Sequence, residues 1–120
     1  MKKMFKTVAI AATATMLLGA SACAEDGVIK FGTNPEFPPF EYISANGVLG
    51  EFDGIDMAIA AKIGELTGME VQMESLEFDS LLIALQNGQI DATIAGMTIT
   101  DERKEAVNFS TPYYTATQVM

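Results

Sequence analysis

The sequence of 120 residues contains no histidine, no tryptophan and a single cysteine. The absence of histidine excludes Ser–His and Cys–His catalytic arrangements and every metal site with imidazole ligands. One cysteine excludes a disulfide within the chain and a cysteine-rich zinc site. Basic residues are also few, since 7 Lys and Arg stand against 16 Asp and Glu, for a formal net charge of −9. Nucleic-acid binding needs clustered Lys and Arg, so this charge argues against a nucleic-acid partner.

The overall composition is that of a small globular protein. Hydrophobic residues make up 49% of the chain and charged residues 19%, which excludes disordered and collagen-like classes. The length holds one ordinary domain and does not comfortably hold two. No internal repeat or low-complexity linker divides the chain, so we expect one folded unit after any targeting segment.

The first 24 residues have the three-part layout of a secretory signal peptide. Lys2, Lys3 and Lys6 give a basic start, and residues 8–19 form an uncharged, mostly apolar run. This run is shorter than the ~20 residues that a membrane-spanning helix requires. We therefore assign residues 1–24 to an export signal and expect an extracytoplasmic protein.

Small residues at the end of this signal allow two cleavage positions. Residues 19–23 resemble a bacterial lipobox, in which Cys23 would be lipidated and become the mature N-terminus. Cleavage after Ala24 would instead remove the cysteine and release a soluble protein. The location is therefore the periplasm, or the outer face of the cytoplasmic membrane if Cys23 is lipidated. Residues 25–120 retain 4 basic and 16 acidic residues, a formal charge of −12.

After the signal, strand and helix patterns alternate along the chain. Apolar or alternating runs predict strands at 28–33, 41–44, 48–52, 69–74, 90–96 and 115–120. Helical spacing and capping residues predict helices at 54–67 and 79–86 and a short helix from Thr100, with a tight turn at Asn46-Gly47. This order predicts an α/β fold with helices on a mainly parallel sheet. Because the last run is apolar and has no closing turn, we expect a truncated, N-terminal part of a longer protein.

Three prolines occur within residues 34–40, directly after the first predicted strand. They exclude a helix and an internal strand. The segment also follows the carboxyl end of a strand, where open α/β sheets bind ligands. Phe37 is therefore a candidate for stacking on a ligand, with core packing as the alternative. For Phe40 we expect core packing.

A second candidate segment follows the strand at 90–96. Gly96 lets bare backbone approach a ligand, and Thr98 offers a hydroxyl and an amide. Arg103 lies three residues after a capping threonine, at a helix end where the dipole disfavours a cation. A guanidinium in this position suits a bound carboxylate, which it holds with a bidentate fork. The alternative is a solvated ion pair of Arg103 with Asp101 or Glu105.

Acidic residues also occur where the first long helix begins. Glu51, Asp53 and Asp56 suggest a cation site, but their spacing fits no known calcium loop. We therefore expect these carboxylates to be solvated and predict no metal site.

Five segments stand in an order that is specific to one known family. They are TNPEFPPFEY at 33–42, GID at 54–56, FDSLLIALQ at 78–86, IDATIAGMTITDER at 90–103 and FSTPYY at 109–114. Together they resemble the polar amino-acid-binding family of bacterial extracellular solute-binding proteins (family 3), over essentially all of residues 25–120. The resemblance implies a periplasmic-binding-protein-like fold of type II, which has two lobes. Residues 25–120 would supply most of the first lobe, truncated before the second lobe.

The same resemblance implies a role for each candidate site residue. Arg103 would bind the α-carboxylate of an amino acid, and Thr98 and the Gly96 backbone would share the carboxylate and the α-amino group. Phe37 and Phe78 would sandwich the ligand side chain. The remaining members are Asn34 and Glu36, which would tune the side-chain preference, and Met97, which lies inside the segment at 90–103.

The implied function is binding of a polar L-amino acid and its delivery to the permease of an ABC-type importer. The protein would be a monomer, would need no cofactor and would catalyse no reaction. An isolated first lobe would bind weakly or not at all, because the second lobe supplies half of the site. Family members often carry Asp where Asn34 stands, so a cationic ligand is not implied. The same lobe also occurs in extracellular prephenate or arogenate dehydratases, lytic transglycosylases and membrane receptors, which are the alternatives.

Overall fold

The computed structural model of the protein describes residues 27–117 and residue 119. The predicted export signal, residues 1–24, and the candidate lipidation site Cys23 lie outside these residues. Within the described part of the chain, no helix combines the length and the apolar character that crossing a membrane requires.

The described elements follow each other in the alternating order that the sequence predicts. The strands are β1 (Val28–Thr33), β2 (Glu36–Phe37), β3 (Glu41–Gly47), β4 (Gly50–Asp53), β5 (Glu70–Ser75) and β6 (Ala92–Thr93). The helices are α1 (Ile55–Thr67), α2 (Leu81–Gln86) and α3 (Asp101–Ala106), and a 3₁₀ turn at Phe78–Ser80 leads into α2. The helices therefore connect or follow strands, as in an α/β layer.

A parallel sheet with the strand order β5-β1-β6 forms the centre of the fold. Adjacent side chains on a strand point to opposite faces of the sheet. Phe31 is buried on one face against Met57 of α1. Gly32 faces the other way, toward Leu81 at the start of α2. The two helices thus cover opposite faces of β1, which confirms the predicted parallel sheet flanked by helices.

Helix α1 is confirmed within the predicted range 54–67, and a left-handed glycine ends it as predicted. Its buried stripe contains Met57 and Ala60, which recur at helical spacing. The N–H groups of Ile55 and Asp56 donate to carbonyl oxygens of the proline-rich loop at 3.0 and 2.9 Å. These bonds satisfy two of the free donors at the helix start and fix α1 against that loop.

A second, antiparallel sheet has the order β2-β3-β4. Strand β2 has only two residues and lies at the edge, in line with the exclusion of an internal strand by the prolines. The predicted turn at Asn46-Gly47 is wrong, because β3 continues through Gly47, which pairs with Gly50. A shift in register between Ile43 and Gly47 accommodates the longer strand, and the chain reverses at residues 48–49.

Other predicted boundaries also differ from the structure, and β4 begins at Gly50, two residues later than predicted. The predicted strand at 90–96 is reduced to β6, because the chain leaves the sheet after Ile94, whose N–H donates to Gly32 at 3.0 Å. The predicted helix at 79–86 begins as a 3₁₀ turn. Residues 115–117 of the predicted strand at 115–120 are not in a strand, since no described strand pairs with them, and residues 118 and 120 lie outside the described part.

Candidate functional site

The candidate residues lie where the three parallel strands end. Because β1, β5 and β6 run in one direction, their carboxyl ends share one edge of the sheet. Asn34 follows β1, and its Nδ2 donates to the carbonyl oxygen of Leu76, which follows β5, at 3.1 Å. The Leu76 N–H donates in turn to Thr33 at 2.9 Å. The loops after β1 and β5 are therefore joined at the edge where this class of fold places its ligands.

The aromatic residues of the proline-rich loop form a stack that reaches the surface. The Phe37 and Phe40 rings lie nearly parallel, with centroids 5.5 Å apart and planes at 13°. Phe40 is half-buried and meets the edge of Tyr114, with centroids 5.0 Å apart. Phe37 is 50% exposed. Of the two predicted alternatives for Phe37, core packing is therefore wrong, and one aromatic face is open to a ligand. Phe40 only partly meets its prediction, since it packs inside the stack.

Gly96 brings the loop after β6 against this stack. Its φ of +56° lies in the left-handed region, and a Cβ added there would lie 3.2 Å from Cδ1 of Phe37. The same Cβ would lie 3.6 Å from Oε2 of Glu41. The Gly96 N–H donates to Oδ2 of Asp56 at 2.6 Å. A residue with a side chain would therefore both strain the backbone and crowd the Phe37 ring.

Arg103 stands at the start of α3 in a fixed orientation. Its backbone N–H donates to the Thr100 hydroxyl at 3.2 Å, which is the predicted helix cap. Its Nη1 donates to the carbonyl oxygen of Thr98 at 2.7 Å, and its Cζ lies 5.5 Å from the centroid of the Phe78 ring. A guanidinium has five N–H groups, so most of its donors remain for an anion.

The alternative interpretation of Arg103 as half of a surface ion pair does not hold in the structure. The ion pairs among the described residues are Lys62 with Glu65 at 3.1 Å and Lys104 with Asp101 at 3.8 Å. Arg103 belongs to neither, and Asp101, one of its two predicted partners, pairs with Lys104 instead. Arg103 is instead oriented by the Thr98 carbonyl oxygen and the Phe78 ring.

The structure thus groups the predicted site residues in two contacting sets. Phe37 lies beside Gly96, and Phe78 and Thr98 both contact Arg103. Met97 is half-buried and lies in the sequence between Gly96 of the first set and Thr98 of the second.

The other two candidates border an open groove of about 590 Å³. Asn34 and Glu36 line this groove together with Glu51 and Glu77. Its lining does not include the Phe37 ring, the Phe78 ring or Arg103. Glu36 is exposed, and its backbone pairs with Tyr42 across β2 and β3. The groove thus carries three carboxyl side chains near the ends of β1 and β5, those of Glu36, Glu51 and Glu77.

Asp56 lies next to Gly96 and is buried, which the sequence did not predict. The prediction of a solvated carboxylate fails, because Asp56 is 0% exposed. Its Oδ1 accepts from the Tyr113 hydroxyl at 2.7 Å and its Oδ2 from the Gly96 N–H. Two donors compensate for the loss of water. A signal was present in the sequence, because Asp56 lies four residues before Ala60 on the buried face of α1.

Glu41 is the second carboxyl of this cluster and carries no comparable set of donors. It is 1% exposed, and its Oε2 has no hydrogen-bond partner. Burial, the hydrogen bond to Asp56 and the charge of Asp56, in decreasing order of effect, together raise the pKa of Glu41 to about 8. Burial and the same carboxylate also raise the pKa of Tyr113. The alternation of side chains on β3 did not indicate the burial of Glu41. Ile43 points to the same face two residues later and is apolar, yet it is exposed, whereas Glu41 is buried.

A comparison with known protein families decides to which family this chain belongs. The family model of bacterial extracellular solute-binding proteins, family 3, matches residues 29–120. The chain belongs to this family. The resemblance that its five motifs carry is therefore confirmed.

The curated relatives of this solute-binding chain are amino-acid-binding proteins by name. It is 32% identical over 117 residues to the arginine-binding extracellular protein ArtP of Bacillus subtilis (strain 168), covering 92% of this chain and 44% of the relative. It is 40% identical over 111 residues to the ABC transporter arginine-binding protein 1 of Escherichia coli (strain K12), covering 92% and 43%. The chain thus spans less than half the length of these curated relatives.

Solved structures of this family share the fold. An ancestral arginine-binding protein bound to arginine superimposes with a TM-score of 0.67 at 42% identity, covering 73% of this chain and 38% of that protein. The arginine-bound form of domain 1 from TmArgBP, the arginine-binding protein of T. maritima, gives a TM-score of 0.67 at 39% identity, covering 73% of this chain and 68% of that domain. The α/β architecture described above is therefore that of periplasmic amino-acid-binding proteins.

Proposed function

We propose that this solute-binding protein captures a polar L-amino acid outside the cytoplasmic membrane and delivers it to the permease of an ABC importer. The observation that carries the proposal is Arg103, which is oriented by Thr98 and Phe78 and has donors left for a carboxylate. Membership of the family supports binding as the activity, and the relatives named above are binding proteins. A non-catalytic role agrees with the site, which offers an anion-binding group and aromatic faces.

The amino acid is held at both its charged groups in this proposal. Its α-carboxylate binds the guanidinium of Arg103 and the Thr98 hydroxyl. Because the Gly96 N–H already donates to Asp56, the carbonyl oxygen of Gly96 is the group left to accept from the α-ammonium. The ligand side chain lies between the exposed face of Phe37 and the Phe78 ring.

The charge of the neighbouring groove bears on the ligand side chain. Glu36, Glu51 and Glu77 line it, and the relatives described above are named for arginine. These two observations support a cationic side chain, although Asn34 lacks the charge that Asp supplies in many family members. Asn34 instead holds the loop after β5 through Leu76. L-arginine is accordingly the first ligand to test.

The described residues form the first lobe of the solute-binding domain in this proposal. Residues 1–24 direct export, and a second lobe outside this chain completes the site and closes over the ligand. Domain 1 of TmArgBP is described as arginine-bound, which supports measurable binding by a single lobe. Of the two expected outcomes, weak binding or none, we therefore propose weak binding. The protein acts as a monomer in the periplasm or, with a lipid on Cys23, at the outer face of the membrane.

Calorimetric titration of residues 25–120 with L-arginine tests this function. The wild-type chain should bind, and Arg103→Ala should abolish the binding because the carboxylate loses its bidentate partner. Lys104→Ala is the matched control, since Lys104 is the next residue, is exposed and pairs with Asp101 on the surface. Equal affinities of the Arg103→Ala and Lys104→Ala variants would contradict the role of Arg103.

A further inference from the structure

Two buried carboxyl groups meet where three parts of the fold converge. Glu41 comes from the start of β3 and Asp56 from the first turn of α1, and they are 1% and 0% exposed. The loop between β6 and α3 (residues 94–100), called the ligand loop below, reaches them through Gly96, and the segment after α3 reaches them through Tyr113. Neither carboxyl belongs to the groups that contact the amino acid in the proposed function. Their arrangement therefore needs an explanation of its own.

The hydrogen bonds distinguish the two carboxyls. Asp56 accepts from Gly96 at 2.6 Å and from Tyr113 at 2.7 Å, one donor on each oxygen. Oε2 of Glu41 has no partner. Two adjacent carboxylates in a buried site cannot both ionise without a large repulsion. The negative charge therefore belongs on Asp56, and a proton belongs on Glu41, which can then donate to Asp56.

Among residues 27–117, no cation is placed where it would remove this constraint. The titratable groups that face Glu41 are Asp56 on α1 and Tyr113 in the segment after α3. The ion pairs among the described residues lie elsewhere, on the surface of α1 and on α3. The backbone of Gly96 contributes a donor to Asp56 and no charge.

We propose that Glu41 and Asp56 share one proton and that this proton fixes the ligand loop at Gly96, so that ligand affinity falls when the pair loses it. Without the proton, a second buried charge beside Asp56 forces one carboxylate to move. The bonds from Asp56 to Gly96 and Tyr113 are then weakened, and the loop carrying Thr98 loses its anchor. Asp56 is thus a positioning residue for the site, and Glu41 controls it. The part on affinity rests on the proposed function, whereas the shared proton does not.

The shared proton is tested without ligand, by following the Gly96 amide of the full chain by NMR from pH 6 to pH 9.5. The pKa of Glu41 is raised to about 8, so we expect the wild-type Gly96 resonance to shift with a midpoint near that pH. Glu41→Gln should remove the shift, because an amide donates to Asp56 at every pH. Tyr113→Phe removes a donor from the carboxylate and should move the midpoint upward. A Gly96 resonance that does not titrate in the wild type, or titrates equally in Glu41→Gln, overturns the proposal.

The effect on affinity is measured with L-arginine at pH 6.5 and pH 9 in the wild type and in Glu41→Gln. One pH unit above the midpoint leaves about a tenth of the chains protonated, so the wild type should lose roughly tenfold more affinity than the variant. The α-ammonium of free arginine also titrates over this pH range. Its effect is the same with the wild type and with Glu41→Gln, so the comparison of the two proteins removes it. Equal losses overturn the effect on affinity. If neither protein binds L-arginine at pH 6.5, the proposed function fails, and the Gly96 titration still decides whether the proton is shared.

Discussion

The Tyr113 hydroxyl donates to Oδ1 of Asp56 at 2.7 Å, across 57 positions of sequence. The same carboxylate accepts from the Gly96 N–H through its other oxygen. One side chain at the start of α1 therefore orients both the loop after β6 and the segment after α3.

Removing the Tyr113 hydroxyl should destabilise the fold. A hydrogen bond to a charged group contributes about 1.5–3 kcal/mol, and we expect Tyr113→Phe to lower the free energy of unfolding by about 1–2 kcal/mol, since Tyr113 is partly exposed. Tyr114→Phe is the control, because its contact with Phe40 is made by the ring. Urea denaturation of both variants measures the difference. The interpretation fails if the two substitutions cost the same.

The buried Glu41 predicts an unusual dependence of stability on pH. Its folded pKa is raised from 4.5 to about 8, so between these values the folded chain keeps a proton that the unfolded chain has released. Its contribution to stability is therefore complete below about pH 4.5 and is lost as the pH rises toward 8. Through Glu41, the free energy of unfolding falls by at most about 1.4 kcal/mol per pH unit in this range.

Urea denaturation at pH 5, 6, 7 and 8 measures this slope. We expect the free energy of unfolding of the wild type to fall across the series and that of Glu41→Gln to stay nearly level. Glu36→Gln is the control, since Glu36 is exposed at the edge strand and its substitution should leave the wild-type slope in place. A wild-type stability that is level or rises over this range would show that Glu41 is ionised in the folded chain.

Much of the fold follows from patterns that are local in sequence. The strand at 28–33 is confirmed to the residue, and α1 and β5 differ from their predicted ranges by a single residue at their ends. Each depends on hydrophobic periodicity and on glycine or proline at its ends. The turn at Asn46-Gly47 was wrong because a turn dipeptide does not set the register of the strands that flank it. The strand predicted at 90–96 was too long because sheet pairing, which is not local, decides where a strand stops.

The candidate site residues also differ in whether a local sequence pattern indicates them. Arg103, Phe37 and Gly96 could be proposed from the sequence as site residues because each is unusual for its local position, as a cation at a helix start, an aromatic between prolines and a glycine at a strand end. The burial of Glu41 was not predictable, and that of Asp56 was indicated only by its spacing to Ala60 on α1, since the partners of both carboxyls lie far away in sequence. The nearest of the donors to Asp56 lies 40 positions away. Their pairing required the three-dimensional structure.

A side chain at Gly96 should impair the site through two effects that can be separated. Gly96→Ala places a methyl group 3.2 Å from the Phe37 ring and forces a left-handed φ of +56° on alanine. Gly88→Ala is the matched control, since its φ is +79° and an added Cβ meets nothing within 4 Å. We expect both to lose about 1 kcal/mol of stability from backbone strain. Only Gly96→Ala should also weaken L-arginine binding in calorimetry, and equal binding by both variants would mean that the Gly96 contact with Phe37 is unimportant.

The open face of Phe37 should matter for binding more than for folding. Phe37 is 50% exposed, so Phe37→Ala forfeits part of its stacking on Phe40 and far less than the ~3–5 kcal/mol of a buried Phe→Ala change. We expect a loss of about 1 kcal/mol in stability and at least a tenfold loss of L-arginine affinity, because the ligand side chain loses one of its two aromatic walls. Val48→Ala is the control, since Val48 is also 50% exposed but lies on the β3–β4 turn. It should leave the affinity unchanged, so a Phe37→Ala chain that binds L-arginine as well as the Val48→Ala chain would remove Phe37 from the ligand site.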